Sequence, residues 1–233
     1  MTWKPEPERR GVADPVAGLR RHVQQMIPGA ALRWSRPPLA PELELLLLDE
    51  RVPFALTPGP ELNELMSDPP YWALCWASGH ALAEYVLSHP EEVAGKRVLD
   101  FGAGSGVVAI AAALAGADQV FACDLDPMAL KAIAANAHHN GVVVTPVDGI
   151  HELAGSVDLL LAADVLYDAS NHPVLEELRG GFPQMLLADS RYPQSAVVGF
   201  DLLGERQVEL CPALDVHADF GHVRLFRSTA KAQ

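Results

Sequence analysis

Cysteine is scarce, with three in 233 residues. Cys75, Cys123 and Cys211 stand far apart and form no CxxC pair, which argues against a zinc cage or a disulfide framework. This usage fits a reducing, cytoplasmic setting. Basic residues are also few: 17 Lys plus Arg stand against 30 Asp plus Glu, a formal charge of −13. That deficit opposes a nucleic-acid partner, whose phosphates attract cationic surfaces. It suits a cationic small molecule or a lysine-rich protein segment, and equally serves solubility. Long apolar runs are missing. The most apolar stretches, Leu43 to Leu48 and Val107 to Leu114, fall short of the roughly 20 residues that span a bilayer. The start, Met1-Thr2-Trp3-Lys4-Pro5-Glu6, lacks the apolar core of a secretory signal. Neither export nor a membrane partner is expected.

What the chain does have is enough apolar residue, 49%, to bury the core of one globular domain. Residues 1–14 mix Pro, Glu and Arg without periodicity and read as a flexible tail. Val16, Leu19, Val23, Met26 and Ile27 recur at helical spacing before Pro28-Gly29. The following stretch is rich in proline, including Pro37, Pro38, Pro58, Pro60, Pro69 and Pro70, so residues 15–67 read as an N-terminal helical cap or lid. The main domain is expected over 68–233. It opens with a helix from Asp68, as cap, to about Leu87. Strands follow at 98–101, 120–124, 142–147, 157–163 and 184–188, with helices between them. The order predicts an α/β fold, doubly wound around a mostly parallel sheet. Strand-like segments 206–210 and 223–226 have too little helix between them for a parallel crossover, so they predict an antiparallel hairpin at the end.

In such a sheet ligands bind beyond the carboxyl ends of the strands, where strand order reverses. The exit of the strand ending at Phe101 holds Gly102, Gly104 and Gly106, which let backbone approach a ligand and lead into helix amides. The spacing is GxGxG; the dinucleotide fingerprint would place glycine at Val107. Asp100 would repel a pyrophosphate and attract an ammonium or sulfonium group. Asp124, ending the next strand, can accept from vicinal ribose hydroxyls. Asp148, after the third, can accept from the exocyclic amine of adenine or simply be a solvated turn. Ribose, adenine and a positive centre together describe S-adenosylmethionine, with S-adenosylhomocysteine as product.

On these residues the chain resembles the class I, seven-strand S-adenosylmethionine-dependent methyltransferases, whose first motif is matched by VLDFGAGSG at 98–106 and whose acidic second strand end is matched by CDLDP at 123–127. A narrower resemblance, carried by the YWALCW segment at 71–76 and by Asp164-Val165-Leu166-Tyr167, points to the protein-lysine methyltransferases of the electron transfer flavoprotein beta subunit. It implies a seven-stranded sheet with an antiparallel last strand, and transfer of a methyl group to a lysine of a protein substrate. By the same resemblance Trp76 lines the cofactor pocket, Gly79 lets a helix pass close to it, and Asp164 and Tyr167 form the acceptor site, Asp164 also touching cofactor. Asp189 corresponds to an acid after the fifth strand, but the family's usual Asp-Pro-Gly is here Asp189-Ser190-Arg191.

Other readings stand beside this one. A small-molecule amine methyltransferase would share every cofactor feature, a nicotinamide-dinucleotide oxidoreductase would bind NAD, and a non-catalytic module would bind cofactor without turnover. Trp72 sits i, i+4 from Trp76 and could share a core face. His138-His139 point in different directions on a helix, and no metal site is expected. Ser105 and Ser190 lack the GxSxG setting of a hydrolase nucleophile.

Overall fold

The computed structural model describes residues 15–49, 70–151, 153, 155–165, 172–191, 199–213 and 221–229. Helix α1 (Pro15–Met26) precedes an antiparallel hairpin, β1 (Leu32–Ser35) and β2 (Leu45–Leu48). After α2 (Ala77–Ser88) come β3 (Arg97–Phe101), α3 (Val107–Leu114), β4 (Gln119–Cys123), α4 (Pro127–His139), β5 (Thr145–Val147) and β6 (Leu159–Ala163). Then follow α5 (His172–Gly181), β7 (Met185–Asp189), β8 (Phe200–Gln207) and β9 (His222–Ser228).

Seven strands form one sheet in the order β5-β4-β3-β6-β7-β9-β8. All neighbours from β5 to β7 pair in parallel, and β9 is antiparallel to both β7 and β8. The predicted doubly wound sheet with an antiparallel last strand is what the chain forms. Side chains alternate across it. Val98, Val120, Ala122, Leu159, Leu161, Leu186 and Leu225 share a core with α2 and α3, whereas Leu99, Cys123, Leu160, Ala162, Leu187 and Phe226 pack with Leu178 of α5. Ala109, Ala111 and Ala112 of α3 are buried, and their small side chains let the helix lie close to its neighbours.

Four boundaries differ from the expectation. The single helix predicted from 68 to 87 is, in its described part, a 3-10 turn (Tyr71–Ala73) and then α2. Between them Leu74 and Trp76 are extended, because the backbone of Cys75 exchanges two hydrogen bonds with Cys211, at 2.8 and 2.9 Å. The third strand is only Thr145–Val147. It is an edge strand, and Val143 is 86% exposed, so the apolar run 142–144 is not a buried segment. Strand β8 starts at Phe200 and ends at Gln207; its half-buried face carries Gly204 and Arg206 after Phe200 and Leu202, and Leu203 lies on the exposed face, so the alternation in burial has no matching apolar alternation in the sequence. Helix α5 runs through Gly181, whereas Gly180-Gly181 after the stretch Pro173 to Leu178 predicts an earlier end.

Ahead of the sheet, the described part (15–49) of the expected helical cap, 15–67, holds α1 and the β1–β2 hairpin, and the rest of that region lies outside the described residues. The four leucines of β2 explain its unbroken apolar run. Leu45 and Leu47 join the main core, while Leu46 and Leu48 join Leu19 and Val23 of α1 and Ala129 and Ala132 of α4. A strand covered on both faces has no polar alternation. Trp72 is buried in this second cluster, so it is a core residue, whereas Trp76 is half-buried and outside the cluster, and the two do not share a core face. Asn136 of α4 and Asn140, which caps its C-terminus, hold β2 and the residue before it. Asn136 accepts from Leu46 N–H at 2.9 Å, and Asn140 bonds both the N–H and the C=O of Glu44.

His80 of α2 pins distant segments together. Its Nε2 accepts from Leu39 N–H at 2.8 Å and its Nδ1 lies 3.2 Å from the Glu209 carbonyl, so Nδ1 carries the proton of a neutral ring. Burial lowers its pKa from the ordinary 6.5. The unfolded chain takes this proton at higher pH than the folded one, so stability falls as pH drops below about 6.5. Thermal denaturation should show that fall, and His80→Gln should make it shallower.

Candidate functional site

The reversal of strand order lies between β3 and β6, and the chain is most unusual at the exits of these strands. Gly102, Gly104 and Gly106 all have positive φ, +70°, +52° and +79°, which residues with side chains rarely adopt. Two of the three also face close neighbours. A Cβ on Gly102 would lie 3.1 Å from Val165 Cγ1, and one on Gly106 would lie 3.2 Å from Ile133. A Cβ on Gly104 would meet nothing within 4 Å, so this part of the loop borders open space.

The acids beside the loop are held by its backbone. Asp100 is 1% exposed, and its Oδ2 accepts from Ala109 N–H at 3.0 Å, satisfying a donor in the first turn of α3. Burial, with the neighbouring charge of Asp124 adding to it, pushes the Asp100 carboxyl up to about 7. Asp124 accepts from Gly104 N–H at 2.8 Å through one oxygen and from Asp126 N–H at 3.0 Å through the other. It therefore tethers the glycine loop as well as facing outward. Asp126 caps α4 through Met128 N–H. Asp148 is exposed, and its charge, with those of Asp100 and Asp124, acts on the Cys123 thiol, which places the three acids around one strand end.

Since the folded protein keeps the Asp100 proton to about pH 7 and the unfolded chain loses it near 3.8, ligand-free stability declines as pH rises between these values. Asp100→Asn removes that slope. The variant should melt above the wild type at pH 8, with the gap shrinking toward pH 5; a gap independent of pH would show that the charge is not what burial penalises.

Asp164 stands across the β3–β6 boundary in left-handed backbone, φ +52°, the one described non-glycine residue with positive φ. Its N–H donates to Ala188 C=O at 3.0 Å. Ser78 Oγ of α2 donates to its Oδ1 at 2.7 Å and Ser190 Oγ donates to the same oxygen at 2.9 Å. Burial raises its carboxyl above the usual carboxylate range, and Asp189 adds to this, while Ser78, Ser190 and Arg191 oppose it. Asp189 itself is buried and accepts from Arg191 N–H.

Most of the residues singled out in the sequence thus come together. The loop 102–106, Asp100, Asp124 and Asp148 occupy the β3–β4–β5 end, and Asp164 is joined to them through its neighbour Val165, which packs on Gly102. Trp76 is half-buried at the start of α2; its Nε1 donates to Tyr71 C=O at 3.1 Å, and the two rings lie 5.6 Å apart. Gly79 lets α2 approach α3, since a Cβ there would lie 3.2 Å from Val107. Tyr167 lies outside the described residues. Sequence reasoning missed Ser78, Ser190 and Asn136. The last, fully buried, donates to Ser105 C=O in the glycine loop at 2.8 Å. Its signal was an asparagine inside a helix, where that residue is unfavourable without an outside partner.

Known proteins resemble this chain in sequence and in fold. A family model described as ribosomal protein L11 methyltransferase matches residues 80–167. The electron transfer flavoprotein beta subunit lysine methyltransferase of Homo sapiens is 41% identical over 135 residues, 56% of this chain and 50% of the relative. That of Xenopus laevis is 35% identical over 169 residues, 70% and 63%. The chain spans about half the length of most of these relatives. Among solved structures, a magnesium protoporphyrin IX methyltransferase from Synechocystis PCC 6803 with bound SAH superposes with TM-score 0.51 at 16% identity, covering 66% of this chain and 84% of that one. The ribosomal protein L11 methylase of Lactobacillus delbrueckii subsp. bulgaricus gives 0.50 at 19%, covering 65% and 79%. The chain is similar to the beta subunit lysine methyltransferases in sequence, and its fold is the seven-stranded methyltransferase fold.

Proposed function

We propose that this protein transfers a methyl group from S-adenosylmethionine to a lysine side chain of a protein, with the electron transfer flavoprotein beta subunit as the candidate substrate. The observation that carries the reading is the contact of Val165 with Gly102, which sets an acid suited to an amine, Asp164, directly beside a loop suited to a nucleoside. The residues fit the cofactor: an open glycine loop, a diol acceptor in Asp124, and in Asp100 a buried carboxylate whose charge a nearby cation relieves. When bound, S-adenosylmethionine supplies an activated methyl group on a positively charged sulfur. Trp76 covers the pocket beside Gly79, and Asp148 takes the base.

Asp164 holds the incoming amine by accepting its N–H, and Tyr167 shapes the channel around it. Alignment and exclusion of water are the main tasks of such a site. A carboxylate also favours the charged amine, so the burial that raises the Asp164 carboxyl serves the reaction by weakening that preference. The acidic surface, −13 overall, suits a lysine-bearing partner. A cytoplasmic location belongs to the same reading and is supported by Cys75, Cys123 and Cys211 being thiols. Among the described residues no helix is long and apolar enough to cross a membrane.

Alignments to the beta subunit enzymes extend over 120 to 169 residues, against 85 and 96 for two ribosomal protein L11 methyltransferases, which favours the flavoprotein subunit as substrate. The test is incubation with tritiated S-adenosylmethionine and either purified protein, followed by peptide mapping. Label on lysines of the flavoprotein subunit is expected. Label in a small-molecule fraction would favour the small-amine reading, and failure to bind S-adenosylhomocysteine would overturn both.

A further inference from the structure

We propose that Ser78 and Ser190 are positioning residues of the acceptor site: together they hold one oxygen of Asp164 and so fix the plane of the carboxylate, with its other oxygen turned to the substrate amine. The inference rests on the methyltransferase reading and deepens it. Both hydroxyls converge on Oδ1, at 2.7 and 2.9 Å, and Ser190 N–H lies 3.4 Å from the same atom. Among the described residues every hydrogen bond to the Asp164 side chain goes to Oδ1. Ser78 is 0% exposed and Ser190 6%, so each hydroxyl needs a buried partner, and this acid is the one each has.

The two serines come from different elements. Ser78 is in the first turn of α2 and Ser190 directly follows β7. Held from both sides, the carboxylate cannot tilt out of this plane without leaving a buried hydroxyl unpaired, which gives it one orientation in the unusual left-handed backbone. Ser190 is suited to this place: a proline at 190 would have neither hydroxyl nor N–H and could offer Asp164 no donor. Here the loop does the holding through serine.

The groups that face Asp164 are Asp189 and Arg191 from the β7 side and the two hydroxyls; the serines and Arg191 lower its carboxyl while burial and Asp189 raise it. Removing a hydroxyl therefore moves the titration of Asp164 upward, and with it the acid limb of the rate profile. A merely structural role would leave that limb in place.

The experiment compares Ser78→Ala, Ser190→Ala and Ser190→Thr with wild type, using the flavoprotein beta subunit as substrate. It measures kcat/KM against pH, S-adenosylhomocysteine affinity by calorimetry, and melting temperature. Each alanine variant should lose roughly tenfold in kcat/KM, the scale of one lost hydrogen bond to a charged group, with the acid limb shifted to higher pH and product affinity little changed. Ser190→Thr should restore both rate and limb. Folded alanine variants with the wild-type profile would overturn the proposal, as would a loss of rate that follows melting temperature without a shift of the limb. A wild-type protein that binds S-adenosylhomocysteine yet methylates no protein would overturn the protein-lysine reading and this inference with it.

Discussion

Gly104→Val should weaken S-adenosylhomocysteine binding by roughly 100-fold or more, the factor that about 3 kcal/mol of steric exclusion gives, while circular dichroism stays native-like. The protein itself leaves the position open, since a Cβ on Gly104 would meet no heavy atom within 4 Å. What a valine would fill is the space kept for a ligand. The backbone does object: φ is +52°, and left-handed geometry costs a residue with a Cβ about 1–2 kcal/mol. Gly104→Ala separates the two effects, because it carries most of the backbone cost with little of the bulk. Melting temperature should fall similarly in both variants, and binding should fall much further in the valine. Equal binding losses would mean that loop geometry is what matters, with Asp124 losing its bond from Gly104 N–H. Retained binding in the valine variant would mean that these glycines serve only the turn.

The sheet and the glycine loop were legible in the sequence because local chemistry dictates them. Val98 to Leu114 runs from apolar strand to glycine turn to alanine-rich helix with no residue out of place, and Asp126-Pro127 and Asn140-Gly141 mark the two ends of α4 through a side-chain cap and a positive φ. Failures came where tertiary contacts override local preference. Nothing near Cys75 shows that its backbone pairs with Cys211, more than a hundred residues away, and this pairing is what divides the helix expected from Asp68. The run Leu45 to Leu48 was read within a proline-rich cap, and only the packing of α1 on one face and the main core on the other makes it a strand. The acids of the candidate site could be picked out because carboxylates at strand ends are conspicuous. Ser78 and Ser190 could not, since a serine early in a helix or after a strand is ordinary; their meaning comes from converging on Asp164 across three elements.

Asp164→Asn should leave cofactor binding nearly intact and reduce methyl transfer by on the order of 100-fold, if a positioned charge worth about 3 kcal/mol is lost from the transition state. Asparagine is the informative substitution here for three reasons. It tolerates left-handed backbone better than other residues with side chains, so the φ of +52° survives. Its amide oxygen can still accept from Ser78 and Ser190, which keeps both buried hydroxyls satisfied. It also replaces the free-facing carboxylate oxygen by a donor, which cannot accept from a substrate amine. Stability provides the control. The Asp164 carboxyl is raised by burial, so the folded protein holds this proton to higher pH than the unfolded chain, and the ionised acid costs stability above the ordinary carboxylate range. The variant should therefore melt no lower than wild type at pH 8. A fall in activity accompanied by a fall in melting temperature would instead assign Asp164 to the fold, as an anchor between α2 and the end of β7. Near-normal turnover in a stable variant would remove it from the acceptor site, and lost S-adenosylhomocysteine binding would move it into the nucleoside pocket beside Gly102.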